Sequence, residues 1–275
     1  MREPASSSRC VVVGTDGSRS ALRAALWAVD EAIDRSLPMR LVHATTSAET
    51  AHAQSAIRDA VAAVAATDKP VKIETDIVHD RPLAALLTAS RSAAMVCVGS
   101  TGLQNAVHGH IGSTATAVAN SAHCPVAVVP TTSDSAPTGT VLAVVDEAHL
   151  SRAVVELAIR EARLRSAQLQ VMTARSRQGS GLPEIDNVCT ASARLERGLA
   201  SWRRSNPDVD IRTIARVGGV INYLAHSLWT AQPVHIVVVD PVRPGPTDIL
   251  LGPSGREALD AARCALVLCD RQSWL

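Results

Sequence analysis

The sequence predicts an α/β protein: two tandem copies of a domain in which a five-stranded parallel sheet is covered by helices on both faces. Two observations carry this. Short β-branched runs alternate with stretches whose apolar residues recur every three or four positions. The whole alternation is then written a second time, after a Pro/Ser/Thr-rich break. Alternating strands and helices imply parallel strands, because each connection has to cross a face of the sheet.

The first copy opens with Val11 to Val13, short and β-branched as a buried parallel strand should be. The turn "GTDGS" leads into a helix whose apolar face is Ala21, Leu22, Ala25, Leu26, Ala28, Val29 and Ala32. Leu41 and Val42 resume the strand pattern, and "TAHAQSAIRDAVAAVAAT" fits a second helix. "VKIETDIVHD" is the third strand; "PLAALLTASRS" is a helix with Pro82 in its first turn, where no N–H is needed. "AAMVCVGS" is the fourth strand, "STATAVANSAH" the last helix and "CPVAVVP" the closing strand. Five strands and four helices in about 130 residues make a doubly wound, Rossmann-like sheet.

"PTTSDSAPTGT" has no periodicity and reads as a linker. The pattern then restarts: a shift of 130 sets Asp146 under Asp16, Glu161 under Glu31 and Ala174 under Ala44. Later, "HIVVVD" falls under "MVCVGS" and "CALVLC" under "CPVAVV". The expected organisation is a first domain over 1–131, a linker over 132–139 and a second domain over 140–275.

Composition narrows the function classes. Lys plus Arg is 27 against 26 for Asp plus Glu, a net charge of +1, which gives no support to a nucleic-acid binder. Four Trp, one Tyr and no Phe leave little to stack bases on. No apolar run approaches the roughly 18 residues of a membrane span, and "MREPASSSRC" has no apolar signal core. A cytoplasmic protein without a membrane partner is expected. The six cysteines (Cys10, Cys97, Cys124, Cys189, Cys264 and Cys269) form no CxxC pair and read as reduced structural thiols.

The functional signal is "VGSTGLQNAVHGHIGST", Val98 to Thr114. In an open parallel sheet, ligands sit beyond the carboxyl ends of the strands, where connections diverge. If the first and fourth strands are neighbours, "GTDGS" and this glycine loop meet there. The loop ends in "GST" at a helix start, whose free N–H groups and dipole favour an anion. Gly112 lets a phosphate approach the backbone, with Ser113 and Thr114 adding hydroxyls. Gly99 and Gly102 let the chain leave the strand and pass close over a sugar. The bland alternative is a glycine turn with Ser113 as an ordinary N-cap, and Asp16 as an Asx-turn residue.

Gly99, two residues, Gly102, nine residues and then Gly112-Ser113 is a G-x2-G-x9-G-[ST] spacing that resembles the ATP-binding universal stress proteins. "VGTDGS", "CPVAVV" and the repeat itself resemble the same family, in its tandem two-domain form. The resemblance implies an adenine nucleotide-binding fold, with ATP as ligand and Mg as its companion ion. It implies that Asp16, with Thr15 beside it, holds the adenine and ribose side, and that Ala44 lines the adenine pocket. Gly99 and Gly102 would border the ribose and first phosphates; Gly112, Ser113 and Thr114 would take the phosphates. It also implies a homodimer, with the two closing strands paired internally about a pseudo-two-fold axis.

The second copy departs from the pattern. Asp240 and Arg243 stand where the first has Gly99 and Gly102, and Pro253, which lacks an N–H, follows Gly252. "TDGS" has become "VDEA". The second domain is therefore expected to keep the fold and bind ATP weakly or not at all. "RPGP" and Gly218-Gly219 are read as loop-shaping.

"HGH" (His108, His110) lacks a third ligand at matched spacing and is read as exposed polar residues rather than a metal site. His43 is read as a satisfied buried or rim histidine. "RLERGLASWRR" reads as a solvated basic helix face. No GxxxxGK[ST] occurs and no activated nucleophile is evident, so no catalytic residue is assigned. The expected function is a nucleotide-dependent stress-response or growth-regulating sensor. The alternatives are a dimerisation scaffold without nucleotide and, less favoured, a slow ATP-hydrolysing enzyme.

Overall fold

The computed structural model describes residues 9–46, 50–102, 111–132, 139–146, 150–174, 184–214, 219–230, 233–241 and 245–270. The chain divides into two compact units, with the break in the linker between Thr131 and Thr132.

The first unit runs β1 (Val11–Gly14), α1 (Arg19–Asp34), β2 (Met39–Ala44), α2 (Ala51–Ala65), β3 (Ile73–Val78), α3 (Pro82–Ser90), β4 (Met95–Gly99), α4 (Ser113–Ser121) and β5 (Val126–Val129). Its strands lie in the order β3-β2-β1-β4-β5, every pair parallel. The β1, β4 and β5 residues Val11 to Val13, Met95 to Cys97 and Val126 to Val129 are buried, as helices on both faces require. α1 packs on β1, β4 and α2, and α3 packs on α4.

α1 begins where Ser18, in an extended conformation, accepts a hydrogen bond from the Ala21 N–H at 3.2 Å. Its buried stripe is Ala21, Ala24, Ala25, Ala28, Val29 and Ala32. Leu22 and Leu26, expected on that stripe, are only half-buried on its flank. Small alanines let the helix lie close on the sheet, and the longer leucines fit better at the edge. The stripe also carries a carboxylate: Glu31 is fully buried and ion-paired to Arg35 one turn on. The second unit repeats the device, with buried Glu161 bonded to Arg165 at 2.6 Å.

The second unit runs β6 (Thr140–Asp146), α5 (Arg152–Leu164), β7 (Gln168–Ala174), α6 (Glu184–Ser205), β8 (Ile211–Ile214), α7 (Gly219–Ser227), β9 (Val234–Val239), α8 (Pro246–Leu251), α9 (Pro253–Ala261) and β10 (Ala265–Leu268). The order β8-β7-β6-β9-β10 reproduces that of the first unit. Register refines the repeat. Val13 lies beside Cys97 and Ala143 beside Val238, so Val238 rather than Cys97's residue at a shift of 140 is the true counterpart. "HIVVVD" is thus one residue out of step, and Asp240 falls under Gly99. The 22-residue α6, against 15 for α2, absorbs most of the extra length. Cys10, Cys97, Cys124, Cys264 and Cys269 are all buried.

Candidate functional site

β1 and β4 are neighbours, so the chain leaves the sheet in opposite directions from adjacent strand ends. A cavity of about 370 Å³ opens there. All eight residues singled out by sequence line it: Thr15 and Asp16 after β1, Ala44 at the end of β2, Gly99 and Gly102 at and after β4, and Gly112, Ser113 and Thr114 at the start of α4. Gly109, His108 and His110 lie outside the described residues.

Each residue reaches the cavity for a local reason. Thr15 is buried; its N–H donates to the Val42 carbonyl at 2.9 Å, and its hydroxyl approaches the same oxygen at 3.4 Å. That ties the end of β1 to β2. Asp16 makes an Asx turn, Oδ1 accepting from the Ser18 N–H at 2.9 Å. Its other oxygen points across the cavity, so that a Cβ on Gly102 would lie 3.0 Å from Oδ2. Turn-former and cavity wall are therefore one residue, and the two readings of Asp16 do not compete. Gly17 sits at φ +85°, the left-handed region that suits glycine.

The two loop glycines have different causes. A Cβ on Gly99 would lie 2.5 Å from the Ser20 carbonyl carbon and 2.6 Å from the Ala21 nitrogen. Gly99 is thus demanded by the backbone of α1, in addition to lining the cavity. Among the described residues, a Cβ on Gly102 would meet only the Asp16 carboxylate.

Gly112, not Ser113, is the N-cap of α4 (φ −60°, ψ 155°), so the ordinary-cap reading of Ser113 fails. The Gly112 N–H donates to the Ser100 carbonyl at 2.6 Å, and its carbonyl accepts the first helical bond from Thr116 at 3.0 Å. A glycine cap offers no side-chain acceptor, and no side chain caps this end. The N–H groups of Ser113, Thr114 and Ala115 therefore face the cavity mouth without intrahelical acceptors, at the positive end of the helix dipole.

The opposite wall holds two histidines. His43 is buried, and its ring meets that of His52, on the first turn of α2, edge to face with centroids 5.7 Å apart. His43 is the buried histidine of the sequence reading, hydrogen-bonded to the Thr15 backbone, with Nδ1 lacking a partner among the described residues. Burial, then the neighbouring His52, push its pKa below the ordinary value; Asp16 and a hydrogen bond to the Thr15 backbone pull the other way.

A family model for the universal stress protein family matches residues 8–130. Universal stress protein Rv2028c of Mycobacterium tuberculosis (strain ATCC 25618 / H37Rv) is 38% identical over 278 residues, covering 95% of this chain and 96% of the relative.

The chain belongs to the universal stress protein family.

Universal stress protein Rv3134c of the same strain is 41% identical over 249 residues, covering 84% of this chain and 88% of the relative. Among solved structures, a universal stress protein from Archaeoglobus fulgidus aligns over 95% of this chain and 96% of its own with a TM-score of 0.62, at 13% identity; it bears on fold alone.

In this universal stress protein the second unit differs at the position equivalent to the α4 start. Gly252 caps α9 with backbone angles like those of Gly112, but Pro253 removes the first N–H. The short helix α8, which the sequence reading did not anticipate, lies directly over that end. A Cβ on Gly255 would meet the Ile249 oxygen at 2.1 Å and the Leu250 oxygen at 2.6 Å. Leu250 and Leu251 are buried there. "RPGP" supplies Pro246, the first residue of α8, and Gly219 opens α7 at φ +75°.

Sequence reasoning missed His52, Pro82 and Leu86 as cavity walls. Pro82 and Leu86 read as ordinary helix residues because only the β1–β2–α3 packing turns them inward. His52 carries no motif; its signal is its place on the first turn of a helix that follows β2.

Proposed function

We propose that this universal stress protein binds ATP in its first unit as a nucleotide-dependent sensor. The phosphates would lie on the first turn of α4, against Gly112, Ser113 and Thr114. The ribose would lie between Asp16 and Gly102, and the adenine against Thr15 and Ala44. One observation carries the reading: all eight residues converge on a single cavity that ends at a helix N-terminus capped by a glycine, without a side-chain cap. Its volume falls in the range of about 300–1,000 Å³ of small-ligand sites.

The fit for a magnesium ion is partial. Asp16 is the one carboxylate among the described lining residues, and no group of three metal-ligating side chains exists among the described residues. Such an ion would be carried by the phosphates, with the Ser113 and Thr114 hydroxyls nearest to it. When bound it would supply charge neutralisation; the chain's own residues orient the nucleotide.

The second unit would not share the task. α8 over the α9 end, Pro253 and the Asp240 counterpart of Gly99 each oppose a phosphate there. The sensing role follows from linkage: ATP favours whichever arrangement of these loops binds it better, and a partner or a homodimer contact can read that arrangement. No helix among the described residues is long and apolar enough to cross a membrane, which fits a cytoplasmic sensor.

Calorimetric titration of Mg-ATP into the purified protein tests this. One site is expected, weakened at least about tenfold, or 1.4 kcal/mol, by Gly112→Val and by Asp16→Ala. No binding at millimolar ATP would leave the dimerisation scaffold as the better account.

A further inference from the structure

We infer that His52, from α2 and outside the glycine motif, is the residue that holds the Asp16–Gly17 turn in place and so sets the base and ribose end of the cavity. This rests on the nucleotide reading above. His52 Nε2 donates to the Asp16 backbone carbonyl at 3.2 Å. Its Cε1 lies 3.5 Å from where a Cβ on Gly17 would be, so the ring sits flush on the one residue of the turn with positive φ. The ring also meets, edge to face, that of His43, whose buried Nδ1 has no partner among the described residues.

The turn needs such a tie. The Asp16 carboxylate is aimed at Gly102 by a backbone that reverses direction within two residues, Asp16 and Gly17. Ser18 fixes the far side of that reversal through the α1 cap. On the near side Thr15 is tied to Val42 of β2, and His52 adds a hydrogen bond from α2 to the Asp16 carbonyl itself. Because α2 follows β2, the same contact couples the helix after the adenine wall to the carboxylate at the ribose. His52 is a positioning residue: it acts on the nucleotide through Asp16.

A base-end device and a phosphate-end device separate by ligand. His52→Ala should weaken ATP about threefold to tenfold, the worth of one net hydrogen bond, and leave inorganic tripolyphosphate unchanged. His52→Gln, which keeps an N–H donor, should recover most of the ATP affinity. Gly112→Val should weaken both ligands. His52 is exposed, so His52→Ala should melt at the wild-type temperature. Equal ATP affinity in wild type and His52→Ala overturns the inference, as does an equal loss for ATP and tripolyphosphate. A wild-type protein that binds neither ligand overturns the nucleotide reading instead.

Discussion

Gly99 and Gly102 belong to one sequence motif, yet the structure gives them different work, and replacing each by alanine separates the two. A methyl on Gly99 would sit 2.4 Å from Ser20 Oγ, 2.5 Å from the Ser20 carbonyl carbon and 2.6 Å from the Ala21 nitrogen. The hydroxyl can rotate away; the backbone of α1 cannot move without lifting the helix off β4. Forcing a methyl into such a contact costs about 1–3 kcal/mol, and the rigid neighbours put this site at the upper end. Among the described residues, a methyl on Gly102 meets only the Asp16 carboxylate, at 3.0 Å, at the end of a side chain. Its stability cost should stay within about 0.5 kcal/mol, while it crowds the cavity. Urea unfolding followed by Trp27 fluorescence, in a background where Trp202, Trp229 and Trp274 are replaced by Phe, reads the first quantity; ATP titration reads the second. Gly99→Ala should lose about 2–3 kcal/mol with an unchanged m-value, and Gly102→Ala should keep its stability and lose affinity. Equal stability losses in the two variants would refute the assignment.

Other consequences are as direct. Glu31→Ala strands the Arg35 guanidinium, whose side chain is 7% exposed, and should cost about 3 kcal/mol in urea unfolding; Glu31→Met with Arg35→Leu should recover most of it. Between the depressed pKa of His43 and its ordinary 6.5, the unfolded chain binds more protons than the native one. Native stability should therefore stand at its plateau above about pH 6.5 and decline as pH falls, and His43→Gln should flatten that slope. Burial raises the thiol pKa of both Cys264 and Cys269, so neither should react with a thiol reagent at pH 8 until denaturant is added. Ser18→Ala removes the α1 cap and should cost about 1 kcal/mol, seen as a lower unfolding midpoint.

The fold was legible because its signals are periodic: Val11 to Val13 and Met95 to Val98 could only be buried parallel strands once helices alternated with them. The site was legible because Gly112 and Asp16 stand at strand and helix ends, where topology rather than packing decides position. What escaped depends on contacts far apart in the chain. Glu31 in an alanine stripe breaks the apolar pattern, and its ion pair with Arg35 one turn on accompanies its burial. That α1 presses on Gly99 was not legible, because nothing local in the sequence reveals the contact. α8 was invisible in "GPTDILLG", six residues being too few for a period. The one-residue slip under β9 arose because "HIVVV" and "MVCV" match equally well in two registers; the pairing with β6 decides between them.

The central claim is a single nucleotide site, in the first unit. Freshly purified protein should be denatured and any released nucleotide identified and counted by chromatography after saturation with ATP and removal of the excess. The account predicts ATP at close to one equivalent per chain, lost in Gly112→Val and retained when the α9 start is altered by Pro253→Ser. Two equivalents, or one equivalent that survives Gly112→Val, would contradict it.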